Sequence, residues 1–419
     1  MRKVFVIACI LITPWVASAQ ESNDMQERLK ALEERIRSLE AEVQSLKGAQ
    51  ATTQAPAAQA TAPVAQTPSP PPEVQLPTAV PLTPSGPLPV YGGASAAAKA
   101  LNPDVSVIGD FIGAAGHNPV QSIPAFQMHE SEVGLQAIID PYARGDFFLT
   151  FGEQGVGLEE GYITFTSLPG GFVAKVGKMR SSFGVVNTLH NHVLSWIDRP
   201  LVTENLVGGE DGIDDAGISI NRILPAPMGI FLEATGQVFR GDSGDVFTSN
   251  QRSDVSTVGR LRGYRDLTDS TNIDLGFSYA RGHNDLGSAY RTELFGMDAT
   301  FRWKPLRRAI YHNFLTRTEL VWSRREQFPS IQRAFGFYTS SDYRLNRRWT
   351  VGGRYDQSDR ARNASLTDSG FSGVLTYWPS EFSQIRGQYR YTRYAEGHDA
   401  NEFLFQFLFV LGAHGAHPF

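Results

Sequence analysis

The chain has 419 residues, with 43 Asp+Glu against 38 Lys+Arg, 40 glycines and 11% aromatic residues. A mildly acidic balance argues against nucleic acid as the main partner, which would draw on a basic excess. Glycine and aromatic content of this kind suits a turn-rich β protein better than a helical one. The single cysteine, Cys9, lies in an N-terminal apolar run and comes too early in it for a lipoprotein anchor. A chain cleaved after that run has no disulfide, thiolate metal site or cysteine nucleophile.

Residues 1–19 read as a secretory signal, with Arg2 and Lys3 ahead of a short apolar stretch and Ala17-Ser18-Ala19 as the cleavage site. The stretch is too short to span a membrane, and Pro14 interrupts it. The segment 20–48 carries a heptad seam of Met25, Leu29, Leu32, Ile36, Leu39, Val43 and Leu46 at alternating spacings of four and three. A lone helix of this length is marginal in water, so the seam predicts an α-helical coiled-coil stalk with partner helices. β-branched residues at one core position lean towards dimers. Arg35-Ile36-Arg37-Ser38-Leu39-Glu40 is similar to a trimer-favouring pattern, and the trimer is the preferred expectation.

Residues 49–101 are rich in Ala, Gln, Thr and Pro and predict a disordered, semi-rigid linker. From 102 to 419 the pattern changes to period two in segments of roughly ten residues, the length of a tilted strand crossing an outer membrane. In 293–303, Phe295, Met297, Ala299, Phe301 and Trp303 share one face, and Asp298, Thr300 and Arg302 the other. In 383–394, Ile385, Gly387, Tyr389 and Tyr391 oppose Gln384, Arg386, Gln388 and Arg390, and Phe403, Phe405, Phe407 and Phe409 line one face of the last strand.

A soluble sheet could show this alternation too. Charges on nearly every polar face, aromatics such as Trp303, Trp349, Tyr377 and Trp378 at strand ends, and alternating connections favour a transmembrane barrel. Short connections are expected at 140–145, 168–171, 224–229, 266–272, 305–312, 344–348 and 378–382. Long ones are expected near 114–125, 152–157, 179–214, 241–256, 282–290, 325–333, 357–369 and 395–401. The segments between them number about sixteen antiparallel strands, which places the short turns in the periplasm and leaves an aqueous channel.

The stalk, the porin-sized barrel and the stretch LEEGYITFTSLPGGFVAKVGKMRSSFG at 158–184 together resemble the phosphate-selective (O/P-type) porins. Phe419 is the terminal aromatic usual in outer-membrane barrels, where it serves as an assembly signal. The resemblance implies a passive, homotrimeric diffusion channel in outer-membrane lipid.

The face opposite the aromatics presents Lys175, Arg260, Arg262, Arg302, Arg317, Arg354, Arg386 and Arg390 as candidate lumen cations. Asp110, Asp215, Glu233, Asp274, Asp298 and Glu319 are the candidate anions. A one-sided arginine stripe would favour anions, because guanidinium binds phosphate and carboxylate in bidentate fashion. The other reading is mutual neutralisation across neighbouring strands. The segment 179–214 is either a constriction loop folded into the pore or a loop packed on the rim. Its charged candidates are Asp198, Arg199, Glu204, Glu210 and Asp211.

The pairs His190/His192 and His414/His417 are metal-like only in spacing. A metal site needs three or four ligands in the right geometry, so none is expected. No G-x-S-x-G, Walker or dinucleotide motif occurs, and neither an enzyme nor a cofactor is expected. The alternative to a porin is a tethering barrel whose stalk reaches peptidoglycan or another periplasmic partner. A channel specific for a metal, a sugar or a hydrophobic compound is a third possibility.

Overall fold

The computed structural model describes residues 103–121, 123–153 and 155–412. The expected signal, coiled coil with its seam, linker, Phe419 and the His414/His417 pair lie outside the described residues.

Sixteen antiparallel strands close into a barrel: β1 (Asp104–His117), β2 (Phe126–Asp140), β3 (Ala143–Gly152), β4 (Gly155–Leu168), β5 (Phe172–Arg180), β6 (Asp214–Leu224), β7 (Phe231–Phe239), β8 (Ser256–Thr268), β9 (Thr271–Asn284), β10 (Gly287–Trp303), β11 (Phe314–Arg325), β12 (Gln332–Arg344), β13 (Trp349–Arg360), β14 (Asn363–Ser380), β15 (Ser383–Arg393) and β16 (Asp399–Gly412). Every strand pairs with its chain neighbours, and β1 pairs with β16 from Ser106↔Gly412 to His117↔Asn401, which removes both edges. No helix among the described residues is long and apolar enough to cross a membrane.

The alternation read from the sequence sets the two faces. Outward residues such as Leu275, Phe277, Met297, Phe371, Tyr389 and Phe403 are exposed, while inward Ser278, Thr300, Arg354, Gln388 and Gln406 are buried. An exposed apolar exterior around a polar interior inverts a soluble core and is what a hydrocarbon solvent requires. Aromatic rows run across neighbouring strands near both ends. Tyr279, Phe295, Trp322 and Phe335 fall in register over β9–β12, with ring centroids 5.0 Å apart for the first pair and 5.2 Å for the last. Trp349 and Tyr377 form a second row at 4.6 Å near the opposite end. Such rows mark the two membrane–water interfaces.

The connections correct the sequence reading in places. In place of the long loops expected at 152–157, 282–290 and 357–369, the strand ladders run on until Gly152 faces Gly155, Asn284 faces Gly287 and Arg360 faces Asn363. Beyond the bilayer the outward face has no need to be apolar. The alternation therefore fades while the hydrogen-bonded ladder goes on. The connection expected to be short at 305–312 spans 304–313 instead and is built from turns in which Arg308 N donates to Pro305 O and His312 N to Arg308 O.

Candidate pore constriction

The connection between β5 and β6, residues 181–213, folds inward and fills part of the lumen. Its own elements are short: 3-10 turns at Val186–Thr188 and Asn191–Val193, and a helix α1 (Leu201–Leu206). Asn187 ties its two ends together. The Asn187 side-chain amide donates to Ser181 O at 3.0 Å and Ile213 O at 3.1 Å, and its Oδ1 accepts from Ile213 N at 2.8 Å. At Gly212, φ is 65° and a Cβ would lie 2.0 Å from Asn187 Oδ1, so only glycine fits there.

Apolar side chains seat the loop. Phe183, Val186, Leu194, Trp196, Val202 and Leu206 are fully buried against inward Val258, Leu294, Val321, Tyr338 and Val374. These wall residues interrupt an otherwise polar lumen face, and they interrupt it where the loop lands. Burying side chains of this size stabilises the contact by roughly 1.5–3 kcal/mol each.

On the β13–β16 side the anchor is Asp198. Its carboxylate takes Arg354 Nη2 and Arg390 Nη1, each at 3.0 Å, while Arg354 Nη1 donates to the Asp198 carbonyl at 2.9 Å. Burial opposes the Asp198 charge, but Arg354 and Arg390 outweigh it and hold the carboxyl well below its usual range. Arg386 Nη1 donates to Trp196 O at 3.1 Å, and the Arg354 guanidinium stacks 4.8 Å from the Trp196 ring centroid. In the middle, Glu319 Oε1 on β11 accepts from Val185 N at 3.1 Å and Val186 N at 2.8 Å.

On the β2–β4 side the anchor is acidic, and two β-bulges create it. Asp110 pairs with Glu130 and Phe111 with Met128, so His129 is the extra residue of β2. Likewise Phe148 pairs with Glu160 and Leu149 with Leu158, so Glu159 is the extra residue of β4. A bulge sends two consecutive side chains to one face, here the lumen. His190 of the loop is received between them, with Nδ1 2.7 Å from Glu132 Oε2 and 3.3 Å from Glu159 Oε2, and Nε2 2.8 Å from Glu160 Oε2. Burial disfavours the charged imidazole, but these three carboxylates outweigh it and raise its pKa well above the ordinary value. Buried Arg180 closes the cluster, donating to Glu159 Oε1 through Nε at 3.1 Å and Nη2 at 2.6 Å.

The residues singled out from the sequence divide into two sets. Arg354, Arg386 and Arg390 lie under the loop and hold it, the first and last through the loop's own Asp198. Arg199 is buried inside the loop, donating to Val186 O at 3.1 Å, Leu189 O at 2.7 Å and Asn191 Oδ1 at 2.8 Å. Arg260 pairs with Asp298 at 2.8 Å in a nearly enclosed position.

Glu210 and Asp211 are exposed near the end of the loop that leads into β6, where Glu210 meets His129 Nε2 at 2.8 Å, and Glu204 is half-buried. Burial, followed by the neighbouring Glu210 charge, pushes the Glu204 carboxyl up to about 7. Lys175 remains partly accessible, its ammonium 4.3 Å from the Tyr162 ring centroid.

Towards the short-turn end, Arg262 and Arg302 flank Asp274, at 2.6 Å and 3.7 Å. Arg317 pairs with Thr300, two residues from Arg302 on the same face. Glu132, Glu159, Glu160 and His129 were not singled out as site residues. Their one sequence signal is the adjacent pair Glu159-Glu160, which breaks the alternation of β4.

A closed sixteen-stranded antiparallel barrel, apolar outside and polar within, with an inserted loop, resembles the outer-membrane porins. The comparisons with known proteins point the same way. No family model matches the chain. A protein of Aquifex aeolicus (strain VF5), itself described as uncharacterized, is 29% identical over 385 residues, covering 77% of this chain and 81% of its own.

Among solved structures, the anion-selective porin of Comamonas acidovorans superposes with a TM-score of 0.53 at 10% identity, over 74% of this chain and 99% of its own. In-vitro folded OmpT of Vibrio cholerae gives 0.52 at 9% identity, over 74% and 97%. The outer-membrane channel DcaP of Acinetobacter baumannii gives 0.50 at 12% identity, over 74% and 96%. At such identities the likeness is one of fold.

Proposed function

We propose that this protein is an outer-membrane diffusion channel for small hydrophilic solutes in which residues 181–213 form the constriction. The observation that carries the reading is the double anchoring of this loop inside the lumen, through Asp198 on one side and His190 on the other. A wall that merely anchors a stalk has no need of a loop held across its interior.

The short-turn end of the lumen carries the accessible arginines. Arg262 and Arg302 share Asp274 as their close acid, with Glu233 3.9 Å from Arg262, and Arg317 stands on the neighbouring strand beside them. Solutes passing below the loop meet a guanidinium surface suited to carboxylates or phosphate, and this favours anions. Glu204, Glu210 and Asp211 act in the opposite sense at the loop. Phosphate selectivity, as the O/P-type resemblance implies, would rest on Arg262, Arg302 and Arg317, with Lys175 as a further cation.

The pattern Arg35-Ile36-Arg37-Ser38-Leu39-Glu40 within the seam at 20–48 supports a trimer, and the even number of strands supports short turns and stalk in the periplasm. A trimer form of OmpT from Vibrio cholerae has a comparable fold, with a TM-score of 0.51. The stalk is also the feature that favours tethering to peptidoglycan.

The test is the reversal potential of the purified, folded protein in a planar bilayer under a KCl gradient, with and without residues 21–48. Steady conductance that survives the deletion, with a potential on the anion side, is the expected result. A verified folded barrel that never conducts would overturn the channel and leave the tether.

A further inference from the structure

The acidic pocket that receives His190 has more ligands than a salt bridge needs. We propose that Glu132, His190 and His192, with Glu159 as fourth ligand, form a binding site for a zinc-class transition dication that staples the loop to β2 and β4. The three side chains of Glu132, His190 and His192 are buried, and one donor atom of each lies within 4.8 Å of the others. Glu132 Oε2 is 2.7 Å from His190 Nδ1 and 3.8 Å from His192 Nδ1, and Glu159 Oε2 is 3.3 Å from His190 Nδ1. Four ligands on a tetrahedron at bond lengths of ~2.0–2.1 Å stand about 3.3 Å from one another. The separations above, 2.7, 3.3 and 3.8 Å, bracket that value.

Three further observations point to a cation. First, the outer shell is in place. His190 turns its other nitrogen, Nε2, to Glu160 Oε2 at 2.8 Å, the carboxylate–histidine pairing that orients a metal-bound imidazole. Glu159 has its Oε1 held by Arg180, while its Oε2, buried and aimed at His190 Nδ1, takes no hydrogen bond.

Second, the charge balances. Glu132, Glu159 and Glu160 carry three negative charges, and Arg180 together with one dication neutralises them while His190 stays neutral. With a proton on His190 in place of the dication, the pocket keeps an excess negative charge.

Third, the donor set is selective. Two imidazoles and two carboxylates suit zinc and its neighbours and disfavour calcium and magnesium, which take oxygen ligands. The consequence is mechanical. His190 and His192 belong to the loop, whereas Glu132 and Glu159 belong to the wall, so the metal fixes how far the loop stands into the lumen.

The experiment uses the full-length chain without an affinity tag, folded in detergent, stripped with chelator, and titrated with Zn2+ by calorimetry and with Co2+ by its visible absorption. The carboxy-terminal histidines are replaced throughout (His414→Ala with His417→Ala), so that they contribute no background. One tight site per chain and a tetrahedral Co2+ spectrum are expected. Glu160→Gln should weaken binding by about 10–100-fold, as loss of an outer-shell partner does. His192→Ala should weaken it more than that, while the conductance shows the barrel to be folded.

Absence of saturable binding to the stripped protein would overturn the site and leave His190 as an imidazolium salt bridge. Binding that His192→Ala and Glu132→Gln leave unchanged would also overturn it.

Discussion

The two walls that grip the inserted loop solve one problem in opposite ways. On β13–β16 the strands alternate strictly and the wall supplies arginines, which catch a loop carboxylate and loop carbonyls through Asp198 and Trp196 O. On β2 and β4 the alternation is broken by bulges and the wall supplies carboxylates, which catch a loop imidazole. Each strand of the regular wall contributes every second side chain to the lumen. The bulged wall places consecutive residues there and so reaches a local density of charge that a regular strand cannot. A regular wall suffices for a guanidinium, whose long fork reaches its partner. Around the compact imidazole of His190, Glu132 and Glu160 stand at regular positions, and the bulge adds the third carboxylate, Glu159.

Breaking the arginine side should have the largest effect. Asp198→Ala removes the partner that Arg354 and Arg390 share, while Asp356 stays with Arg354 and Glu402 with Arg390, so the cost should fall at the lower end of the range for breaking a buried ion pair, about 3 kcal/mol. Denaturant unfolding in detergent should show a loss on the order of that size, and single-channel recordings should show a larger, noisier conductance as the loop comes free. An unchanged conductance would mean that the other anchors hold the loop alone. Glu319→Gln tests the midpoint between the two walls. It weakens the acceptor for Val185 N and Val186 N, and a smaller loss of about 1–3 kcal/mol is expected in the same assay.

Charge reversal sharpens the comparison at the level of ions. Arg317→Glu, in the arginine cluster below the loop, should move the KCl reversal potential towards cations, and Arg302→Glu with it should move it further. A potential that stays fixed would place the selectivity at the loop instead. The smallest effect is that of pH. Glu204, with its pKa raised to about 7, is neutral below that value and gains a negative charge as pH rises through it. Cation permeability should therefore grow between roughly pH 6 and 8, and Glu204→Gln should flatten that part of the profile.

The amino-acid sequence by itself determined the barrel. Phe403, Phe405, Phe407 and Phe409 on one face, and Gln384, Arg386, Gln388 and Arg390 on the opposite face of the neighbouring strand, set a two-faced sheet, and charges on nearly every polar face with aromatics at the strand ends favour the barrel over a soluble one. That periodicity is local, so it can be read along the chain. It also showed which arginines face inward. Which of them a solute can meet was not legible, because Arg354, Arg386 and Arg390 are covered by a loop far away in the chain.

Hairpin heights were misread where the membrane no longer demands an apolar face, as at 285–286 and 361–362. The acidic anchor was decided by tertiary structure alone. A bulge is a relation between two strands and leaves little trace in either, so strict alternation would have sent His129 and Glu159 outward. The meeting of His190 with Glu132, Glu159 and Glu160 depends on three separate segments being closed into one ring.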